Sequence, residues 1–271
     1  MSEILLITGA AGQIGRDLRT RLARPGRTLR LIDIAPQTPV GDDEAAEIIK
    51  ADITDPDAMA EASEGVAAII HLAALLDGAT WAQYVDVNIT GTYAVLEGAR
   101  RAGVPRVIYA SSHHAVGFNP RGDWAPDDMP PRPDSYYGVT KVASEALCSL
   151  YHDRHGMDVV AVRIASYRPI PDDRRSLSNW LSPDDTARLF EALITVPAPG
   201  FQIVWGVSNN TRRWMSLDKA KSLGYVPRDD AEEWAEEVLA ATTPNDPGAM
   251  WDHILGSKFA APDFDAAGRS A

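Results

Sequence analysis

The sequence predicts an α/β fold, a doubly wound parallel sheet with a small C-terminal lobe. Three observations carry that expectation. Short apolar runs alternate with helical patterns over the first two-thirds of the chain, the signature of βαβ units. A glycine-rich turn, Thr8-Gly9-Ala10-Ala11-Gly12-Gln13-Ile14-Gly15, closes the first apolar run and opens the first helical pattern. An acid, Asp33, closes the second apolar run.

In chain order, strands are expected at Ile4–Ile7, Leu29–Ile32, Ala67–Leu72, Val107–Ala110, Val159–Ile164 and Phe201–Trp205. Helices are expected over Gly15–Ala23, Pro56–Ser63, Thr92–Ala102 (closed by Gly103 and Pro105) and Tyr137–His155 (closed by Gly156). Ser166–Pro183 carries several charges and little periodicity, and reads as a loop region beside the substrate. Ser182-Pro183-Asp184-Asp185 then offers an N-cap serine, a proline at N1 and a carboxylate at N3, starting a helix that runs to about Val196. A last helix is expected at Ala231–Ala241, with Trp234 and Val238 inward. The division expected is residues 1–165 as a dinucleotide-binding domain and 166–271 as a small substrate-binding region packed on it.

The glycine turn has the strand–turn–helix context of a Rossmann dinucleotide fingerprint. Gly9 permits the tight turn, Gly12 lets the backbone approach a pyrophosphate, and Gly15 lets helix and sheet pack closely. The N–H groups of the helix N-terminus attract the phosphates. Asp33 stands where a carboxylate accepts both ribose hydroxyls and repels a 2′-phosphate, which favours NAD over NADP. Asp52-Ile53 and His71-Leu72-Ala73-Ala74 fall at the ends of further strands. There Asp52 could take the adenine amino group, the two small alanines would let a cofactor lie against the backbone, and His71 reads as a packed strand residue. Tyr137 and Lys141 lie at i and i+4, on one helix face. An ammonium beside a phenol favours the phenolate, the form a general base needs. Ser111-Ser112 ends the strand before that helix; Ser112 could hold a substrate oxygen against Tyr137, while Ser111 is the structural member. Tyr136 has Thr140 at i+4 and so lacks a lysine.

Bulk properties narrow the function. The chain has 271 residues and a formal net charge of −12. That acidity argues against nucleic-acid and anionic-membrane partners. No apolar run reaches the roughly 18 residues of a membrane helix, and the N-terminus lacks a signal-peptide pattern. The single cysteine, Cys148, suits a reducing cytoplasm and reads as a helix-packing residue. Within this acidic chain Arg163, Arg168, Arg174 and Arg175 crowd the segment expected to face the pocket. A guanidinium fork matches a carboxylate, sulfonate or phosphate. For Arg174 the plainer reading is a solvated charge paired with Asp172 and Asp173, and Arg168 stays open.

These motifs, with Asn88 and Gly91-Thr92, resemble the extended short-chain dehydrogenase/reductase superfamily from Ile4 to about Ile164. Ala110-Ser-Ser-His-His114, Leu177-Ser-Asn-Trp180, Val204-Trp-Gly206 and Leu223-Gly-Tyr225 sharpen the likeness to the bacterial uronate dehydrogenases. The resemblance implies NAD⁺-dependent oxidation of the anomeric carbon of an acidic hexose to a lactone, with no metal. It implies Ser112, Tyr137 and Lys141 as catalytic residues. It adds Gln13, Ile14, Ile34, Ile53, Leu72, Ala73, Ala74, Asn88 and Tyr167 to the cofactor contacts of Gly9, Gly12, Gly15, Asp33 and Asp52. Ser166 and Arg175 match the serine and arginine that hold the sugar carboxylate, and Arg168 is a further candidate cation. Two sugar-lining positions depart from the family: His113 stands in place of an amide residue, and Leu76 in place of a small hydroxyl residue. The expected partner is therefore a small anionic sugar, a uronate or another acidic hexose such as a 6-sulfo-sugar. Monomer and homo-oligomer are both open. The competing classes are an epimerase or dehydratase that keeps its NAD, and a dinucleotide-sensing regulator.

Overall fold

The computed structural model describes residues 3–122, 124–243, 253–261 and 263–265. In chain order its strands are β1 (Glu3–Thr8), β2 (Arg27–Asp33), β3 (Ala46–Lys50), β4 (Val66–His71), β5 (Arg106–Ser112), β6 (Asp158–Ile164), β7 (Ser166–Tyr167), β8 (Trp180–Leu181) and β9 (Phe201–Gly206). β7 and β8 pair with each other, and the rest form one parallel sheet in the order β3-β2-β1-β4-β5-β6-β9. The winding reverses between β1 and β4. Ligands of open α/β sheets bind beyond the strand ends at such a reversal. The helices are α1 (Gln13–Arg21), α2 (Pro56–Ala62), α3 (Trp81–Tyr84), α4 (Gly91–Arg101), α5 (Tyr136–His155), α6 (Ser176–Asn179), α7 (Pro183–Thr195), α8 (Asp218–Ser222) and α9 (Ala235–Ala241).

Alternation along the strands builds two cores. Leu5 and Ile7 of β1 face the side covered by α1 and α7, with Leu18, Leu189 and Phe190. Leu6 faces the other side, with Met59 of α2, Leu96 of α4 and Cys148 of α5. The caps follow the residue types. Ser182 accepts a hydrogen bond from the Asp185 N–H at 2.8 Å, with Pro183 in the first turn of α7. Ser135 caps α5, which stops at Gly156 in the left-handed region (φ 69°).

Four features depart from expectation. The sheet does not end at residue 165, because β9 pairs with β6 from Val159↔Phe201 to Ile164↔Gly206 and α7 packs on the same core as α1. β3 is an edge strand whose burial is slight, so it lacks the apolar run that announces a buried strand. The helix expected from Thr92 begins earlier. Thr80 and Gln83 form a capping box at α3, and a π-helical turn over Val85–Thr90 joins α3 to α4. Within the segment expected to be a loop, β7, α6 and β8 supply short regular pieces.

Candidate active site

A cleft of about 880 Å³ opens beyond the strand ends, running from the glycine turn to the start of α5. Gly9 has φ 71°, and a Cβ there would lie 2.6 Å from the Ala73 nitrogen, so the loops after β1 and β4 touch through it. A Cβ on Gly15 would meet the Gly9 carbonyl at 2.5 Å, which fixes the close packing of α1. Gly12 is the N-cap of α1, makes no side-chain cap bond and lines the cleft. A Cβ there would meet only the Gly9 carbonyl at 3.1 Å, so its open side is left for a ligand. The first-turn N–H groups of a nine-residue helix thus point at a space suited to a pyrophosphate. These residues fit a dinucleotide.

Gln13, Ile14, Leu72, Ala74 and Tyr167 also line the cleft. The Tyr167 hydroxyl donates to Asp17, and burial with that bond pushes its pKa up. Asp33 sits at the end of β2, its two carboxylate oxygens accepting the N–H groups of Ala11 and Ala35 at 2.9 Å each. It therefore also ties β2 to the glycine turn. Ile34 is exposed beside it. Ala73 backs the glycine turn, its nitrogen 3.4 Å from Thr8 Oγ1. Asp52 is exposed and accepts from the Thr54 N–H and hydroxyl.

Asp33, Ile34, Asp52, Ile53, Ala73 and Asn88 are not among the residues lining the cleft, and two of these expected contacts are turned into the protein. Ile53 is buried in the core, where a Cβ on Gly91 would meet its Cδ1 at 2.6 Å. Asn88, in the π turn, spends its amide on the Leu75 backbone, accepting its N–H at 2.8 Å and donating to its carbonyl at 2.9 Å, and also donates to Thr140 at 3.0 Å. It anchors the loop after β4 to α5. His71 is buried between Thr8 and Thr92, and burial holds its pKa down at about 3, so it is a neutral strand residue.

Ser112, Tyr137 and Lys141 come together at the far end of the cleft. The Ser112 hydroxyl accepts the His114 N–H at 3.2 Å and lines the cleft with Tyr137, whose phenol pKa it lowers. Lys141 Nζ donates to the Ala110 carbonyl at 2.7 Å and lies 5.3 Å from the Tyr137 ring centre. Burial pushes the phenol pKa up, against the effect of Ser112, and pushes the ammonium down to about 7. Each shift disfavours an isolated charge in a dry site. Tyr136 is instead on the surface, against Trp81. Ser111 also borders the cleft, but its hydroxyl is spent on Glu145, to which it donates at 2.6 Å.

Arginine placement corrects the sequence reading twice. Arg163 is not in the cleft: it is buried behind it, paired with Glu145 through two bonds of 2.9 Å and donating to the Met129 carbonyl at 2.8 Å. Arg174 lines the cleft but is neither solvated nor held by the neighbouring aspartates; it binds the carbonyls of Leu239 and Thr242 at the end of α9. Arg168 pairs with Asp172 and lies 3.9 Å from Asp173. Arg175 lines the cleft, donates to the Ile254 and Leu255 carbonyls, and lies over the Trp214 ring at 5.7 Å.

Ser166, Leu76 and His113 complete this end. His113 Nδ1 donates to the Ile164 carbonyl at 3.1 Å, and burial holds its pKa well below the usual value. His114 bonds Asp134 at 2.8 Å and stacks on Phe259 at 3.9 Å. Burial raises the Asp134 pKa to about 6.

Residues 5–168 match the NAD dependent epimerase/dehydratase family. The chain belongs to that family. The uronate dehydrogenase of Pseudomonas syringae pv. tomato is 41% identical to this family member over 89% of this chain and 88% of its own. A glucuronic acid dehydrogenase structure from Chromohalobacter salexigens superposes with a TM-score of 0.93 at 35% identity, covering 98% of this chain and 99% of that one. Uronate dehydrogenase from Agrobacterium tumefaciens gives 0.90 at 37% identity, covering 96% and 97%. In this epimerase/dehydratase family member the sequence reading missed the C-terminal turn that brings Ser257, Lys258 and Phe259 into the cleft. No periodicity marks four residues of 3₁₀ helix, and tertiary contacts such as the pairing of Ile254 with Pro120 put them there.

Proposed function

We propose that this chain is an NAD-dependent dehydrogenase that oxidises the anomeric carbon of an anionic aldose of the uronate class to an aldonolactone. The observation that carries the reading is the meeting of Ser112, Tyr137 and Lys141 in one cleft with Arg175 and Arg168, in a chain matching uronate dehydrogenases over most of its length. The glycine turn binds the pyrophosphate and Asp33 the adenosine ribose. When bound, NAD⁺ supplies the acceptor for the hydride that leaves the anomeric carbon. Ser112 holds the anomeric hydroxyl, and Tyr137 takes its proton as general base. Lys141, in its ammonium form, opposes the cost of a buried phenolate. Ser166 and Arg175 orient the sugar by its acidic end. The anomeric C–H and O–H bonds break, and the C–O bond becomes the lactone carbonyl.

The test is NADH formation across glucuronate, galacturonate, glucose and galactose. The matching neutral hexose is expected to lose about one to two decades in kcat/KM, since a charge-assisted bond contributes roughly 1.5–3 kcal/mol. Arg175→Ala should remove most of that preference. Equal use of neutral and acidic hexoses overturns the substrate assignment. Released, stoichiometric NADH separates the reaction from that of an epimerase or dehydratase, which would keep its cofactor bound. NAD⁺ should exceed NADP⁺ by about two orders of magnitude in kcat/KM, because Asp33 would face the extra phosphate at a cost of several kcal/mol. Asp33→Ser should narrow the gap; equal use of both cofactors by the unaltered enzyme would place Asp33 away from the ribose. Among the described residues no helix is long and apolar enough to cross a membrane. The single, buried Cys148 fits a cytoplasmic setting.

A further inference from the structure

The C-terminal segment builds one wall of the cleft. Leu255 and Gly256 donate backbone hydrogen bonds to Asn119 (3.1 Å) and Gly117 (2.8 Å), and Arg121 donates to His253 (2.7 Å). The Asp265 carboxylate accepts the Tyr136 N–H at the start of α5, at 3.0 Å. Phe259 lies between His114 at 3.9 Å and Phe264 at 4.0 Å, with the Tyr137 ring 6.4 Å away. The turn is therefore at the catalytic end of the cleft and not at the glycine turn. Ser257 sits at φ 60°, a left-handed conformation that is strained for a serine and that the surrounding structure must hold. Between Ser257 and the stacked Phe259, Lys258 projects from a fixed base and lines the cleft.

The other cations of that end are engaged. Arg168 is paired with aspartates, Arg174 ends α9, Arg175 holds the carbonyls of residues 254 and 255, and Lys141 holds the Ala110 carbonyl. Lys258 is exposed; its carbonyl accepts the Ala261 N–H at 3.0 Å, but its ammonium makes no hydrogen bond or ion pair among the described residues. We infer that Lys258 is a specificity-determining residue that binds the oxyanion at the far end of the sugar, alongside Arg175. This rests on the reading of the chain as an acidic-sugar dehydrogenase and names a residue outside the motifs that carry that reading. The ammonium is a compact point charge with three donors, and so accepts carboxylate, sulfonate or phosphate without demanding a planar partner. Being exposed, it acts with a screened charge, so its effect falls with salt.

The experiment compares the unaltered enzyme with Lys258→Gln and Lys258→Arg on glucuronate, glucose 6-phosphate, a 6-sulfonated glucose and glucose, at low and high ionic strength. The expected result is a roughly tenfold fall in the acidic-to-neutral ratio of kcat/KM for Lys258→Gln, expressed in KM. Lys258→Arg should retain most of the ratio, and the salt dependence of KM for the acid should weaken in Lys258→Gln. The anion whose KM rises most in Lys258→Gln identifies the natural end group. An unchanged ratio in Lys258→Gln overturns the inference. So does an equal loss on glucose, which would mean that the side chain only packs the turn. If the unaltered enzyme shows no preference for any acid, the failure lies in the substrate class itself. If it prefers acids and Lys258→Gln keeps that preference, only the role of Lys258 falls.

Discussion

Tyr137→Phe is expected to lower kcat by about three orders of magnitude, within the range that a positioned proton-transfer group contributes. The phenylalanine ring would keep its place 5.9 Å from His114 and 6.4 Å from Phe259, so the cleft walls should stand. NAD binding, followed by calorimetry, should stay within a few-fold of the unaltered protein, because the glycine turn and Asp33 lie at the other end. A Phe variant that turns over at a tenth of the normal rate would show that another group accepts the proton. His114 would be the next to examine, yet burial holds its pKa at about 3, and it already serves Asp134.

The largest effect on stability should come from Glu145. Its carboxylate is buried in α5 and holds both Arg163 and Ser111, tying the catalytic helix to β5 and β6. Glu145→Ala leaves a guanidinium in a dry interior with only the Met129 carbonyl. Breaking a buried pair from one side costs about 3–5 kcal/mol, which would lower Tm by about 10 °C at the usual slope for chains of this size. Replacing both members, Glu145→Leu with Arg163→Met, should recover much of the loss, because the desolvation of two charges disappears with them. Thermal unfolding of the three variants reads this directly. A Glu145→Ala protein as stable as the unaltered one would mean that water or a nearby group relieves Arg163.

What was legible in the sequence was what repeats locally. β1, the glycine turn and α1 follow one another within twenty residues, so apolar pattern, breaker residues and cap positions announce them together. Tyr137 and Lys141 share a helix face by spacing alone, and Ser112 ends the strand before it. The arginines show the limit. Arg163, Arg168, Arg174 and Arg175 are neighbours in sequence, but alternation along β6 sends the first into the interior, and α9 captures the third. Their partners Glu145, Leu239 and Leu255 are 18, 65 and 80 residues away, a separation to which no local pattern speaks. Asn88 was legible as part of a motif, while its grip on the loop of Leu75 depends on a π turn that no propensity announces.

That π turn has a consequence for how the chain tolerates changes in length. The stretch from Trp81 to Arg101 winds as one rod, but its two halves serve different neighbours. Thr80 and Gln83 fix the entry, whereas Gly91 packs on Ile53 and Thr92 meets His71 at 3.1 Å. The wider turn is what lets both halves face inward at once. Removing one residue between Val85 and Thr90 would leave an ordinary α-helix, and each residue of such a helix accounts for about 100° of rotation. The deletion would act as a twist and not as a shortening. Gly91 and Thr92 would swing off the sheet, or Trp81 and Tyr84 off α5, and the Asn88 clamp on the loop after β4 would go with either. A one-residue gap that a surface loop would absorb unnoticed is here a rotation of the cleft wall.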